Sequence, residues 1–199
     1  MRVPSDWSMA AARQLLFVQG AGDMWHPEGS GHLARYLQRE LAGDYLVSAP
    51  EMPDADNPHY RPWADRIAHE LKGIEGDVFL VGHSFGGSVL LKHLAEDAPH
   101  YRVAALCLVS VPDWGPKAWA IEEYAVPADL GSRLPSAPIY LYHSVDDGEV
   151  PFSHMRAYAE QLPEATVRAV PGSDHSFVEG LPILVDDIRS VGRETSGRS

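Results

Sequence analysis

The stretch that decides the fold is Asp77-Val-Phe-Leu-Val-Gly-His-Ser84-Phe-Gly-Gly87. It begins with an apolar run of the kind that predicts a buried strand, and its second half matches the pattern G-x-S-x-G. In this pattern the chain turns so sharply from strand into helix that the residues beside the serine must be small. Gly82 and Gly86 supply this room. The sequence therefore predicts that Ser84 is a nucleophile exposed at the carboxyl end of the strand.

A second interpretation of Ser84 is purely structural, because short matches of this kind arise by chance and serine is also a common helix cap. The surroundings favour the nucleophile. A strand precedes the motif, an amphipathic segment to residue 96 follows it, and Gly87 adds a further small residue. A helix that begins at Ser84 also places its partial positive charge beneath any negative charge that develops on a substrate.

Outward from this motif, short apolar runs alternate with amphipathic segments along the chain. The alternation is typical of a mostly parallel sheet whose crossover helices cover both faces. We therefore predict an α/β fold, a three-layer α/β/α sandwich with about six strands and little or no cap. The predicted strands are 14–19, 45–48, 77–81, 103–109, 139–142 and 166–170, and the predicted helices cover 30–41, 63–71, 84–96, 152–162 and 183–191.

The same pattern predicts a single domain over residues 1–191. Within it, residues 1–13 are an N-terminal extension, and the proline-containing residues 112–137 are a short excursion over the edge of the sheet. The polar residues 192–199 predict a flexible tail. At 199 residues the chain is long enough for a hydrophobic core that needs no metal or disulfide for support.

Composition excludes several kinds of partner. The chain has 16 Lys and Arg against 28 Asp and Glu, a formal charge of −12, which disfavours nucleic acids and anionic membranes. Ten histidines make this charge depend on pH. Cys107 has no second cysteine with which to form an internal disulfide, so we expect a cytoplasmic protein. The first residues contain no apolar segment of the roughly 7–15 residues found in a secretory signal.

A serine hydroxyl is a weak nucleophile, so Ser84 needs a base, and the base needs an orienting carboxylate. Ligands of such sheets bind beyond the carboxyl ends of the strands, so we expect the acid in a loop that directly follows a strand. The loop 143–151 meets this requirement and offers Asp146, Asp147 and Glu149 as candidates.

Together these features resemble the α/β-hydrolase superfamily, in which nucleophile, acid and histidine follow one another along the chain. The acid loop of that family often has the pattern H-G-x-x-D-x-x-V-P. Aligned on His143 and Val150-Pro151, this pattern implies Asp147 as the acid, in preference to the other two carboxylates. Ser144 stands where the family usually has glycine.

The resemblance also implies the base. The stretch Gly172-Ser-Asp-His175-Ser-Phe177 follows the last predicted strand and is similar to the family's G-x-x-H-x-F loop, so His175 is the expected base. Asp174 is its neighbour in the chain and is expected to point away from the ring. The other nine histidines are expected to be structural, because none shows a metal-binding spacing such as H-E-x-x-H. We expect no metal and no other cofactor.

Two backbone N–H groups are expected to bind the oxyanion of the reaction. One belongs to Phe85, directly after the nucleophile. The turn Gln19-Gly-Ala-Gly22 resembles the family's H-G-x-G turn and implies the N–H of Ala21 as the second donor, with Gln19 in the usual position of histidine. This turn is a poor match to a dinucleotide-binding fingerprint, because Trp25 stands where the third glycine is required.

Several aromatic residues flank loops that are expected to meet near Ser84. Trp25, Trp114 and Trp119 are therefore candidate walls of a substrate pocket, together with Tyr124. Packing in the core or in a lid is an equally good interpretation for each of them.

Within the superfamily, the chain is most similar to the small lidless serine hydrolases of the retinoblastoma-binding-protein-9 and YdeN-like group. This narrower similarity rests on Met52-Pro-Asp54, Trp63, Gly82-His-Ser-Phe-Gly86 and Val150-Pro-Phe152. It implies a serine hydrolase that cleaves small carboxylic esters through a Ser-His-Asp triad and an acyl-enzyme.

Other functions fit the same residues. A thioesterase, an amidase or a peptidase would use the same triad, and a protein-interaction module could keep the fold with a weak or idle triad. The expected partner is a small-molecule ester, and we expect binding to neither nucleic acid nor membrane. The sequence does not indicate whether the chain has a protein partner.

Overall fold

The computed structural model describes residues 12–74, 76–97 and 101–196. Its strands are β1 (Arg13–Val18), β2 (Tyr45–Ser48), β3 (Asp77–His83), β4 (Arg102–Val109), β5 (Ile139–Ser144) and β6 (Thr166–Val170). Its helices are α1 (Gly31–Glu40), α2 (Tyr60–Leu71), α3 (Phe85–Glu96), α4 (Leu130–Arg133), α5 (Ser153–Gln161) and α6 (Pro182–Ser196). The strands form one sheet in the order β2-β1-β3-β4-β5-β6, and every pairing between them is parallel.

Helices cover both faces of this sheet. Neighbouring residues of a strand point to opposite faces, so Leu80 packs in one apolar cluster with α2, α3 and α5, and Phe79 packs in a second cluster with α1 and α6. The predicted three-layer fold with a parallel sheet is therefore confirmed. No helix in the described part of the chain combines the length and the apolar character that a membrane span requires.

The strand order places a natural crevice beside Ser84. From β1 the chain goes first to β2 on one side and later to β3 on the other, so the direction of winding reverses between β1 and β3. Open α/β sheets bind ligands at such a reversal, beyond the carboxyl ends of the strands. The turn 19–23 follows β1 and Ser84 follows β3, so both predicted elements lie at this point.

The last helix is longer than its sequence pattern predicts. α6 runs through Ser196, so residues 192–196 are helical and do not form the predicted flexible tail, while 197–199 lie outside the described residues, as do 1–11 of the extension. The Arg13 guanidinium donates to the carbonyl of Gly192 at 2.9 Å. A Cβ at Gly192 would overlap the hydroxyl of Tyr45, so this glycine permits close packing of α6 against the sheet.

The excursion between β4 and β5 folds back onto the sheet. Within the described residues its regular structure is limited to α4. Trp114 and Leu130 are buried in the same apolar cluster as α3, so the excursion closes that side of the core.

Candidate active site

Ser84 lies in the sharp turn between β3 and α3. Its backbone has φ 51° and ψ −128°, a conformation that residues other than glycine rarely adopt. The Ser84 N–H donates to the carbonyl of Val109 at 2.8 Å, which ties the turn to β4. A Cβ on Gly82 would overlap the first turn of α3, and one on Gly86 would overlap the carbonyl oxygen of Gln19. The two glycines therefore make the tight turn possible.

His175 and Asp147 meet on the neighbouring loops, after β6 and β5. His175 Nδ1 lies 2.8 Å from Asp147 Oδ2, and both side chains are almost fully buried. An ionised carboxylate can only accept, so Nδ1 carries the proton and Nε2 keeps its lone pair. Among the described residues His175 is hydrogen-bonded to Asp147 and not to Ser84. Such contacts often shorten only when substrate is bound.

Asp147 is held as a carboxylate by the groups around it. Its Oδ1 accepts the N–H groups of Glu149 and Val150 at 2.9 and 2.8 Å. Burial by itself raises the pKa of Asp147, but the hydrogen bonds from His143, His175 and the Val150 N–H outweigh it. The pKa therefore lies well below its ordinary value of 3.8.

The competing carboxylates occupy different positions. Asp146 Oδ2 accepts the N–H of Gly172 at 2.6 Å and so links the acid loop to the loop that carries His175. Asp174 Oδ1 accepts the backbone N–H of His175 at 2.9 Å. The Glu149 carboxylate is exposed and lies 3.9 Å from His175 Nε2. Of the three candidates named from the sequence, only Asp147 touches Nδ1 of the imidazole.

His143, which the sequence assigned no more than a structural role, lies directly beneath this pair. Its Nε2 is 2.8 Å from the carbonyl oxygen of Val150 and 3.3 Å from Asp147 Oδ2. The side chain is only 1% exposed, so its single N–H serves two acceptors in a dry environment. Its place in the family pattern was visible in the sequence, but its contact with Asp147 was not.

A buried chain of hydrogen bonds joins the turn after β1 to the loop of His175. The Gly20 N–H donates to Ser30 Oγ at 2.7 Å, and Ser30 Oγ lies 2.7 Å from His83 Nδ1. His83 Nε2 donates to the backbone carbonyl of His175 at 2.9 Å. Because that carbonyl can only accept, His83 Nδ1 is the acceptor of the Ser30 hydroxyl proton. Burial, followed by the nearby His175, lowers the pKa of His83 to about 3, so its ring is neutral.

Ser30 directly precedes α1 and so occupies the N-cap position, where a serine side chain commonly bonds to the helix backbone. Its side chain makes no capping bond, because its oxygen is engaged by Gly20 and His83.

Gln19 braces the turn that carries Ala21. Its side-chain Nε2 donates to the carbonyl of Gly22 at 3.0 Å, and its Oε1 accepts the N–H of Met52 at 3.2 Å. Gly22 has φ 85°, which a residue with a side chain adopts only with strain. Ala21 and Phe85, the two predicted oxyanion donors, both line the pocket that contains Ser84.

This pocket has a volume of about 270 Å³ and aromatic walls. Trp114 and Trp119 line it, as does Tyr124. Trp25 does not, which corrects the prediction: its ring is 43% exposed, its Nε1 donates to Glu51 at 3.0 Å, and the Arg35 guanidinium stacks 4.3 Å from its centroid. The full lining is Ala21, Pro58, Ser84, Phe85, Pro112, Trp114, Trp119, Tyr124, Glu149 and Val150.

The described residues contain no group of three or more His, Cys, Asp or Glu side chains arranged to hold a metal ion.

The fold, with Ser84 in the sharp turn between β3 and α3, is that of a small α/β hydrolase. A family model described as serine hydrolase matches residues 16–179, and the chain belongs to this serine hydrolase family. It is therefore an enzyme of the hydrolase class. No curated protein sequence gives a significant match.

Solved structures show the same fold. The ydeN gene product of B. subtilis is 23% identical with a TM-score of 0.71, and the match covers 92% of this chain and 100% of that one. A 2-hydroxy-6-oxo-6-phenylhexa-2,4-dienoate hydrolase from Rhodococcus sp. is 17% identical with a TM-score of 0.70, covering 92% and 91%. An esterase from Rhodococcus sp. is 19% identical with a TM-score of 0.65, covering 90% of each chain. The expected similarity to YdeN-like hydrolases is thus confirmed.

Proposed function

We propose that this serine hydrolase cleaves small carboxylic esters with Ser84 as nucleophile, His175 as base and Asp147 as the orienting acid. The observation that carries the proposal is the 2.8 Å contact between His175 Nδ1 and a buried Asp147 carboxylate. It fixes the tautomer whose free Nε2 can take a proton from serine. The strained backbone of Ser84 presents its side chain to the same crevice.

Acylation begins when His175 Nε2 removes the Ser84 hydroxyl proton as Oγ attacks the ester carbonyl carbon. The carbonyl electron pair moves onto the oxygen and forms a tetrahedral oxyanion. Asp147 stabilises the imidazolium without taking its proton. When the oxyanion collapses, the bond to the alcohol oxygen breaks, and His175 gives that oxygen the proton, so the alcohol leaves and the acyl group stays on Ser84.

Deacylation repeats the sequence with water. His175 removes a proton from the water as its oxygen attacks the acyl carbon, and the second oxyanion expels Ser84 Oγ, which regains the proton from His175. The products are the carboxylic acid and the free enzyme. No cofactor enters either step.

The backbone N–H groups of Ala21 and Phe85 are the proposed donors to both oxyanions. Both residues line the pocket beside Ser84. Phe85 begins α3, and the partial positive charge at the N-terminus of that helix also stabilises an oxyanion. A single donor of this kind contributes about 3 kcal/mol to lowering the barrier. The Gln19 side chain supports this turn in the place of the histidine usual in the family.

Small esters are favoured over larger or less reactive substrates by the size and openness of the site. A pocket of about 270 Å³ suits a short acyl or alcohol group. Thioesters can be cleaved by the same two acyl-transfer steps, with a thiol as the leaving group, whereas amides need a better positioned acid for their poorer leaving group. The hydrolase of a dienoate among the structural neighbours acts on a carboxylate-bearing substrate, but no Lys or Arg lines this pocket to pair with one.

With its only cysteine buried on β4, the cytoplasm stays the expected compartment.

A substrate panel tests the proposal. p-Nitrophenyl esters of increasing acyl length, a matched thioester and a matched anilide are assayed with the wild type, with Ser84→Ala and with Ser132→Ala, which removes an exposed hydroxyl on α4 as the control. We expect hydrolysis of short esters that is lost in Ser84→Ala and kept in Ser132→Ala. Equal turnover by Ser84→Ala, or cleavage of the anilide alone, would overturn the proposed ester chemistry.

A further inference from the structure

The pocket beside Ser84 has an unusual chemical balance. Four of its ten lining residues are aromatic, and Glu149 is the one charged residue among them. The remaining members are Ser84 and small or apolar residues. A pocket for a carboxylate or a phosphate would be expected to offer a cationic side chain, and this lining offers none.

The aromatic wall is built around Trp114, whose own N–H group is engaged in the core. The Trp114 Nε1 donates inward to Ser88 Oγ at 2.8 Å, so its polar edge is already satisfied in the core. Trp119 and Tyr124 each pack edge-on against Trp114 with centroids 4.9 Å apart, and His154 holds Trp119 from behind at 5.0 Å. Trp119 is still 40% exposed. Aromatic faces are electron-rich and attract cations, most strongly for tryptophan.

Glu149 adds a negative charge beside these rings. It lines the pocket with its side chain 63% exposed, so it can approach a bound group. The whole chain carries a formal charge of −12, which raises the local concentration of cations and lowers that of anions.

We propose that this pocket selects esters that carry an ammonium group, with the cation held between the face of Trp119 and the carboxylate of Glu149. The proposal rests on the ester hydrolysis argued above and names its substrate class. Neutral esters of the same shape are poorer substrates because they lose the attraction to the rings and to Glu149. Carboxylate-bearing esters are poorer still because Glu149 repels them.

Glu149 also has a competing role that the experiment must separate. Its Oε2 lies 3.9 Å from His175 Nε2, so removing the charge of Glu149 also alters the electrostatic environment of the His175 imidazole. An effect on the base alters the hydrolysis of every ester alike. An effect on substrate selection alters the ratio between a charged ester and its neutral equivalent.

The test is therefore a ratio. A choline ester is compared with its carbon isostere, in which a tert-butyl group replaces the trimethylammonium group, and kcat/KM is measured for both with each variant. We expect the wild type to prefer the choline ester by about tenfold. Glu149→Gln and Trp119→Leu should each reduce this ratio towards one, and the wild-type ratio should fall as salt is added. Glu164→Gln, an exposed carboxylate outside the pocket, is the control and should keep the full ratio.

A binding measurement allows the two esters to be compared even if they are hydrolysed slowly. Calorimetric titration of Ser84→Ala with the choline ester and with its isostere gives the same comparison without hydrolysis. An isostere that is hydrolysed and bound as well as the choline ester, or a ratio unchanged in Glu149→Gln and Trp119→Leu, overturns the proposed selectivity while ester hydrolysis stands. Loss of all hydrolysis in the wild type would instead contradict the proposed function, and the titration would still decide whether the pocket binds the cation.

Discussion

At the scale of single residues, the site depends on how the hydrogen bonds of one carboxylate are shared among its neighbours. Asp147 uses one oxygen for two backbone N–H groups and the other for His175, with His143 also close to it. The first set holds the side chain in place and the second orients the imidazole. Asp146, its neighbour in the chain, instead fixes the backbone of Gly172. Two adjacent aspartates therefore do different work, and substitution should separate them.

We expect Asp147→Asn to reduce kcat by at least about a hundredfold, because an amide can donate to Nδ1 and so favours the wrong tautomer of His175. Asp146→Asn should stay within a fewfold of wild type, since its amide oxygen can still accept the Gly172 N–H. Steady-state hydrolysis of a short p-nitrophenyl ester measures both. The reverse order of effects would assign the acid to Asp146.

At the scale of elements, the junction of β3 and α3 is held by close packing of glycines. We expect Gly86→Ala to lower the free energy of unfolding by about 1–3 kcal/mol or to prevent folding, because the new methyl group overlaps the Gln19 carbonyl. Gly73→Ala is the matched control, since a Cβ there meets no atom within 4 Å. Urea unfolding compares the two variants. Equal stability of both would show that the junction relaxes more freely than its geometry indicates.

The chain of hydrogen bonds from Gly20 through Ser30 and His83 to His175 connects the turn after β1 with the loop after β6. Ser30→Ala leaves the Gly20 N–H and His83 Nδ1 without partners, a cost of about 1–3 kcal/mol for each buried group. Because the turn of Ala21 and the loop of His175 then lose a common support, we expect kcat to fall by about tenfold with little change in KM. Kinetics and unfolding of the same variant check this. A stable variant with unchanged kcat would limit the chain to a structural role.

At the scale of the whole molecule, buried neutral histidines make stability depend on pH. His83 has a pKa of about 3 in the folded protein and about 6.5 when unfolded, so within this window the unfolded chain binds more protons and stability falls as the pH is lowered. Burial also lowers the pKa values of His93 and His154, which act in the same direction. The pKa of Asp147 is lowered as well, but its contribution is lost only below its ordinary value of 3.8.

From His83 alone we expect a loss of about 1.4 kcal/mol between about pH 7.5 and about pH 5.5. Urea unfolding at the two pH values measures it. His83→Gln keeps a donor and an acceptor in place without a titrating ring. Its free energy of unfolding should therefore fall by about 1.4 kcal/mol less than that of the wild type between the two pH values. An identical pH dependence in the variant would show that folding does not lower the pKa of His83.

Much of the molecule follows from local sequence patterns. The strands and the sharp turn at Ser84 were predictable because β3 is an apolar run that ends in closely spaced glycines. The contact between Asp147 and His175 was expected because the loops that carry them have recurrent patterns. Contacts between distant segments were not. Ser30 has a cap's position, but its partners lie ten and 53 residues away. Trp25 lies beside the site in sequence, but its loop turns the ring towards Arg35.

The central claim is that Ser84 is the nucleophile of this hydrolase, and covalent capture tests it most directly. The folded protein is treated with a fluorophosphonate probe, and intact-mass measurement and peptide mapping locate the adduct. We predict a single adduct on Ser84, absent from Ser84→Ala and slowed strongly in Asp147→Asn. No adduct on the folded wild type, or an adduct on another residue, would contradict the claim.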